Sequence, residues 1–169
     1  FLQTLVVSAG ALSVSSLLTG CALDDDNSAK PVSKYFPQSL MSGDPTPDSV
    51  VMWTRVVDAG NELKVILQVS KIQDDFTNVV LEQEFDVSPD TGNCLKVRVT
   101  ALDAKTFYYY RFVYKKDGVA YTSRVGRTKT APAINDDTAV KFAFVSCQDY
   151  LGRYYNTYLS ILEQDDLDF

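Results

Sequence analysis

The sequence predicts a mainly β protein: an immunoglobulin-like or fibronectin III-like β-sandwich, followed by the first strand and helix of an α/β domain. Three observations carry this. From residue 35 to residue 129 apolar residues recur with period two, and no helical stripe is present. Turn-forming residues cut that stretch into six or seven short strand candidates. Beyond it, Lys141-Phe-Ala-Phe-Val-Ser-Cys-Gln-Asp-Tyr150 is a near-continuous apolar run that stops at a cysteine, with a helical pattern behind it. Such a run suits a strand covered on both faces, as in a parallel sheet flanked by helices.

Residues 1–23 carry no charge, and Leu5 to Leu18 are apolar but rich in small residues. Leu18-Thr-Gly-Cys21 looks like a bacterial lipobox, where cleavage precedes the cysteine and the cysteine takes the lipid. This expectation makes 1–20 a lipoprotein signal peptide and Cys21 the lipidated residue, anchoring an exported chain to the membrane of the cell envelope or periplasm. A plain transmembrane anchor with an incidental Cys21 is the alternative. Phe1-Leu-Gln3 resembles the tail of a twin-arginine export motif. Residues 21–34, acidic and polar, read as a flexible tether.

Residues 35–129 hold the strand candidates 49–56, 63–69, 79–85, 94–100, 106–114 and 119–125. Asp117-Gly118 between two of them is a strong hairpin signal. Leu95, Val97 and Val99 face one way and Lys96, Arg98 and Thr100 the other, as in a half-solvated antiparallel strand. A tyrosine corner is expected at Tyr108 or Tyr110, with the hydroxyl bonding back to the turn before the strand. Trp53 is expected in the core, with ligand stacking as its functional alternative. The tyrosine-rich strand 107–114 is read as core and interdomain packing, against a sugar-binding platform. Asp44 and Asp48, in Ser42-Gly-Asp-Pro-Thr-Pro-Asp48, are read as turn residues rather than ligands.

Residues 130–140, polar with one proline, form an expected linker. In 141–169 the strand is to end at Cys147, where ligands bind in α/β sheets. A helix over 152–163 follows, with a stripe of Tyr155, Tyr158, Leu159 and Leu162. Leu167-Asp-Phe169 opens another strand, and both chain ends read as fragment ends. Arg153 is a candidate phosphate contact near the helix start, or a solvated helix-face residue. Asp165, Asp166 and Asp168 are read as solvated loop residues. Cys147 could be a thiolate metal ligand or pair with Cys94.

Charge and composition exclude some classes. The net charge of −6 argues against a nucleic-acid partner. The absence of histidine excludes a Ser-His-Asp triad or a histidine-based metal site within these residues.

Two motifs carry a family resemblance. Phe142-Ala-Phe-Val-Ser-Cys-Gln-Asp149, the Gly-Tyr-rich helix start at 152–155 and Glu163-Gln-Asp-Asp-Leu-Asp-Phe169 resemble the opening of the catalytic domain of PhoD-like alkaline phosphatases. Ser42-Gly-Asp-Pro-Thr-Pro-Asp-Ser-Val-Val-Met-Trp-Thr-Arg55 resembles the entry to that family's N-terminal domain. The resemblance implies that 141–169 begin a truncated α/β metallophosphoesterase domain on which the sandwich packs. It implies a phosphatase or phosphodiesterase acting on phosphoesters, with ferric iron and calcium as cofactors and Cys147 as an iron ligand. Asp149 has no firm match to a ligand position. On this expectation residues 1–169 are catalytically inactive alone. The rival is a non-catalytic surface lipoprotein whose sandwich binds polysaccharide or a protein partner.

Overall fold

The computed structural model describes residues 34–59, 63–147, 151 and 155–169. The alternating stretch folds into two antiparallel sheets. The first contains β1 (Leu40–Gly43), β2 (Val50–Arg55) and β5 (Cys94–Val99), in the order β1-β2-β5. The second contains β3 (Leu63–Ser70), β4 (Leu81–Val87), β6 (Phe107–Lys116), β7 (Val119–Thr122) and β8 (Gly126–Lys129). Its order is β4-β3-β6-β7, with β8 also on β6. Behind the sandwich, α1 spans Asn156–Leu162.

Period two fixes which side chains meet between the sheets. On β2, Val50, Met52 and Thr54 point inward and are fully buried. Val65, Leu67 and Val69 of β3 and Tyr108, Tyr110 and Phe112 of β6 face them across the core. On β5, Leu95 and Val99 are buried while Lys96 and Arg98 are exposed, as the alternation predicts. Strand β6 is the hub. One side pairs with β3 from Tyr109 to Tyr114; the other pairs with β8 over Phe107–Tyr110 and with β7 over Val113–Lys116.

The turns obey their chemistry. The β6–β7 hairpin closes through Asp117 and Gly118, both at positive φ (52° and 78°), the backbone of a two-residue turn that matches strand twist. Where β8 passes β1 the approach is so close that a β-carbon on Gly126 would lie 2.4 Å from Leu40 Cδ1 and 2.7 Å from the Tyr110 ring. Tyr108 forms the corner: the Asp103 amide donates to its hydroxyl at 2.8 Å. Tyr110, the other candidate, is equally buried, and burial pushes its phenol up to about 12.

At the chain's entry to the sandwich, Tyr35 is buried against Tyr114 and Tyr121, with ring centroids 5.2 and 4.7 Å away. Beside them Asp58 accepts from the Tyr114 hydroxyl at 2.7 Å and pairs with Lys116 at 2.7 Å. The Lys116 ammonium, then the Tyr114 hydroxyl, hold the Asp58 carboxyl down at about 2. Tyr114 is pushed up to about 12, by burial first and by this carboxylate second.

Several expectations need correction. Trp53 is not in the core. It lies between inward Met52 and Thr54, so the pleat sends it to the outer face, half-buried. Val50 to Trp53 are all apolar, so the phase of β2 could not be read from its own residues. The expected strand 119–125 stops at Thr122, and a further strand, β8, begins only at Gly126; between them the Ser123 hydroxyl accepts from the Phe112 amide at 2.9 Å. Strand β1 was not expected at all. The aromatics Tyr108, Tyr110, Phe112 and Tyr114 of the tyrosine-rich strand are buried, which removes the sugar-platform reading for them. Asp44 and Asp48 are turn residues, as expected. Asp44 pairs with Arg98, and Asp48 accepts from the Thr46 hydroxyl at 2.7 Å.

Candidate functional site

The candidate chemistry lies in 141–169. Of the expected strand, Lys141–Ala143 pairs with the chain end. The Ala143 amide donates to the Phe169 carbonyl at 3.1 Å, and the Phe169 amide to the Lys141 carbonyl at 3.4 Å. Bonds running from one residue to two positions on either side of its partner are the pattern of parallel strands. Neither stretch becomes a regular strand, so the expected strand to Cys147 and the strand expected to open at Leu167 are not formed; two short stretches paired in the parallel sense flank α1. The expected burial of this strand is overturned: Phe142 and Phe144 are 66% and 84% exposed. No described layer packs on either face of this run. The stripe Tyr155, Tyr158, Leu159 and Leu162 is likewise exposed. Among the described residues the Tyr155 and Tyr158 rings contact each other, 5.8 Å between centroids.

Cys147 closes the run, exposed, with φ of 56°. A left-handed backbone at a non-glycine residue is uncommon and breaks the extended chain there. Cys94, half-buried on β5, is also a free thiol, so the two cysteines form no bridge in this structure. Arg153, Asp149 and Cys21 lie outside the described residues. Among the described residues no group of three or more His, Cys, Asp or Glu side chains is placed to hold a metal ion. Cys147 alone does not fit an iron–calcium centre; a thiolate ligand needs companions in a defined geometry.

The acidic cluster is where sequence reasoning missed a role. Asp168 is not a solvated loop residue. Its carboxylate pairs with Lys129 of β8, both side chains about 15% exposed or less, and accepts the Lys141 amide at 2.9 Å. The Lys129 ammonium is the chief cause holding the Asp168 carboxyl below the usual carboxylate range. Asp166 pairs with Lys141, and Arg127 donates to the Asp165 carbonyl at 3.1 Å. Lys129 and Arg127 also lie over the Phe107 ring, 4.6 and 5.1 Å from its centroid. These contacts hold residues 141–169 to the β6–β8 edge. The signal lay in two halves 39 residues apart, alternate cations on β8 and acids at the chain end, and neither half shows the pairing alone.

The arrangement is that of a β-sandwich module followed by two short stretches paired in the parallel sense around one helix, with Cys147 exposed at the end of the first. Residues 20–132 match the family described as PhoD-like phosphatase, N-terminal domain. The chain belongs to the PhoD-like phosphatase family. It is 36% identical over 142 residues to alkaline phosphatase D of Bacillus subtilis (strain 168), covering 78% of this chain and 24% of that protein. A solved PhoD structure superposes with a TM-score of 0.72 at 32% identity, over 83% of this chain and 28% of that one. A human fibronectin type III domain superposes with a TM-score of 0.46 at 10% identity, over 65% of this chain and 84% of that one. The chain thus spans about a quarter of the length of the phosphatases it matches.

Proposed function

We propose that this chain is the N-terminal part of a metal-dependent phosphoester hydrolase, a phosphatase or phosphodiesterase. The observation that carries the proposal is the match of residues 20–132 to the N-terminal domain of this phosphatase family, with 36% identity to alkaline phosphatase D. On this reading residues 35–129 are the sandwich domain, 130–140 the linker and 141–169 the start of the catalytic domain. The exposed apolar faces of 141–169 support the last assignment, since they are what an α/β layer presents before its neighbours are in place. Ferric iron and calcium are the cofactors implied, with Cys147 the residue of this chain that would ligate iron. The described residues perform no step at such a centre, and residues 1–169 alone are proposed to be inactive. The chain is further proposed to be exported, by the twin-arginine route, and anchored through a lipid on Cys21.

The test is hydrolysis of bis-p-nitrophenyl phosphate by the complete gene product, with and without Cys147→Ala, beside residues 1–169. The expected result is activity in the complete protein, its loss in Cys147→Ala with the fold retained, and none from residues 1–169. Turnover by residues 1–169, or full activity of Cys147→Ala, would overturn the assignment. Cys21→Ser is expected to move the protein from the membrane pellet to the soluble fraction.

A further inference from the structure

The outer face of the three-stranded sheet carries a groove that the phosphatase reading does not use. The β1–β2–β5 register sets it out in rungs. One rung aligns Met41, Trp53 and Lys96; the next aligns Gly43, Val51 and Arg98. These residues, with Ser42 and Asp44, line a cleft of about 590 Å³. That volume is within the range of small-molecule sites, roughly 300–1,000 Å³. Gly43 makes the trough: a β-carbon there would meet nothing within 4 Å. Met41 is 61% exposed and Trp53 half-buried, so an apolar floor is open to solvent.

Charge separates this face from the rest of the molecule. Lys96 and Arg98 oppose Asp44 alone, leaving the groove positive on a chain whose net charge is −6. Arg98 is held in place by Asp44 and by the Ser49 hydroxyl at 3.1 Å. The Lys96 ammonium pairs with no carboxylate among the described residues and stands across the strand from Trp53. On the other sheet the solvent face beside β4 is acidic, with Glu82, Glu84 and Asp86 opposite Gln68, Ile66 and Lys64. The polar contacts from the sandwich to 141–169 come from Arg127 and Lys129 of β8, outside the groove. No described residue of 141–169 is among those lining this face.

We propose that the groove is a binding site for a carboxylated glycan strand, with one sugar ring stacked on Trp53 and its carboxylate met by Lys96. The trough over Gly43 continues the chain past Val51 toward Arg98. An aromatic floor with a cationic rim takes a ring that has an apolar C–H face and an anionic substituent. A nucleic-acid backbone needs more cations than the groove supplies. An amphipathic helix needs a longer apolar stripe than Met41, Val51 and Trp53 provide.

Trp53 is the sole tryptophan, so intrinsic emission from the full chain reports on this groove directly. Titration with oligogalacturonate is expected to quench and blue-shift that emission saturably, while dextran does neither. Lys96→Gln is expected to weaken binding about three- to five-fold, the factor a solvent-exposed charge contact supplies. Gly43→Val, which fills the trough, is expected to abolish the response with an unchanged circular dichroism spectrum. If Gly43→Val misfolds, Met41→Ala serves instead and is expected to weaken binding. No saturable change with oligogalacturonate would overturn the site. An equal response to dextran would overturn the role of the carboxylate. An equal response to polyglutamate would show simple charge attraction and overturn the glycan. Binding unaltered in folded Gly43→Val, or in Met41→Ala, would place the ligand elsewhere.

Discussion

Two regions of this chain are built from the same kinds of residue and end in opposite environments. In the sandwich, Tyr108, Tyr110 and Phe112 are at most 1% exposed. In residues 141–169, Phe144 is 84% and Leu162 76% exposed. Intrinsic hydrophobicity is not what differs. The sandwich supplies two sheets whose inward phases face one another, so each apolar side chain finds a partner. The second unit has one parallel contact, one ion pair and one hydrogen bond to β8, and its apolar faces meet no second layer among the described residues. A strong apolar pattern therefore predicts which residues want burial, whereas burial itself depends on a facing surface.

The comparison can be broken most directly by truncating one aromatic on each side. Phe112→Ala is expected to cost about 3–5 kcal/mol, as large-to-small core changes do. Phe144→Ala and Leu162→Ala in the same chain are expected to stay within about 0.5 kcal/mol, the range of surface substitutions. Urea unfolding followed by circular dichroism measures all three. Equal losses would mean that the second unit has a packed core after all.

A second probe asks how tightly the sandwich closes. Gly126→Ala places a methyl group against Leu40 and the Tyr110 ring. Overpacking of this kind is expected to cost about 1–3 kcal/mol, read as a lower urea midpoint at constant slope. Adding Leu40→Ala should restore part of the loss. A smaller effect is expected from Tyr108→Phe, which leaves the Asp103 amide without its hydroxyl acceptor. The loss should be about 1 kcal/mol, the net worth of one such hydrogen bond.

The smallest and most specific probe is pH. Asp58 has its carboxyl depressed to about 2 by Lys116 and Tyr114, against an ordinary value near 4 in the unfolded chain. A depressed acid binds its proton less readily when folded. Its stabilisation is therefore fully present above about pH 4 and is lost as pH falls toward about 2. Other carboxylates titrate in the same range, so the informative quantity is the difference between the parent and Asp58→Asn. That difference should be flat from pH 7 to about 4 and shrink below it. A difference independent of pH down to 2 would show that the Asp58 charge does not stabilise the fold.

The same contrast explains what could be read without coordinates. The sandwich was legible wherever a strand alternated cleanly: Leu95, Lys96 and Arg98 gave the orientation of β5, and Asp117-Gly118 gave the hairpin. It was illegible where alternation failed. Val50-Val-Met-Trp53 offers apolar residues to both faces, so Trp53 was placed inside. Leu40-Met-Ser-Gly43 is too short and mixed to announce β1, which earns its place by pairing with β2. The candidate site was half-legible. The Ser-Cys-Gln context and the strand–helix–strand pattern are local, but the pairing of Lys129 with Asp168 depends on a tertiary approach that no local pattern encodes.

Strand β6 has a consequence for how the chain reaches its fold. Its partner β7 lies just across a two-residue turn and zips within microseconds once begun. Its partner β3 must be captured across a long loop; Gln68 and Arg111, which pair side by side, are 43 residues apart. Closing such a loop spends chain entropy before any ladder bond returns it, so this pairing sets the pace of assembly. The other flank of β6 waits on β8, the last strand of the sandwich to be synthesised. Until Gly126–Lys129 arrives, Phe107–Tyr110 presents unsatisfied backbone groups along an aromatic edge, the kind that recruits strands from other molecules. The interval between synthesis of Tyr110 and of Lys129 is thus the window in which this chain is most exposed to aggregation.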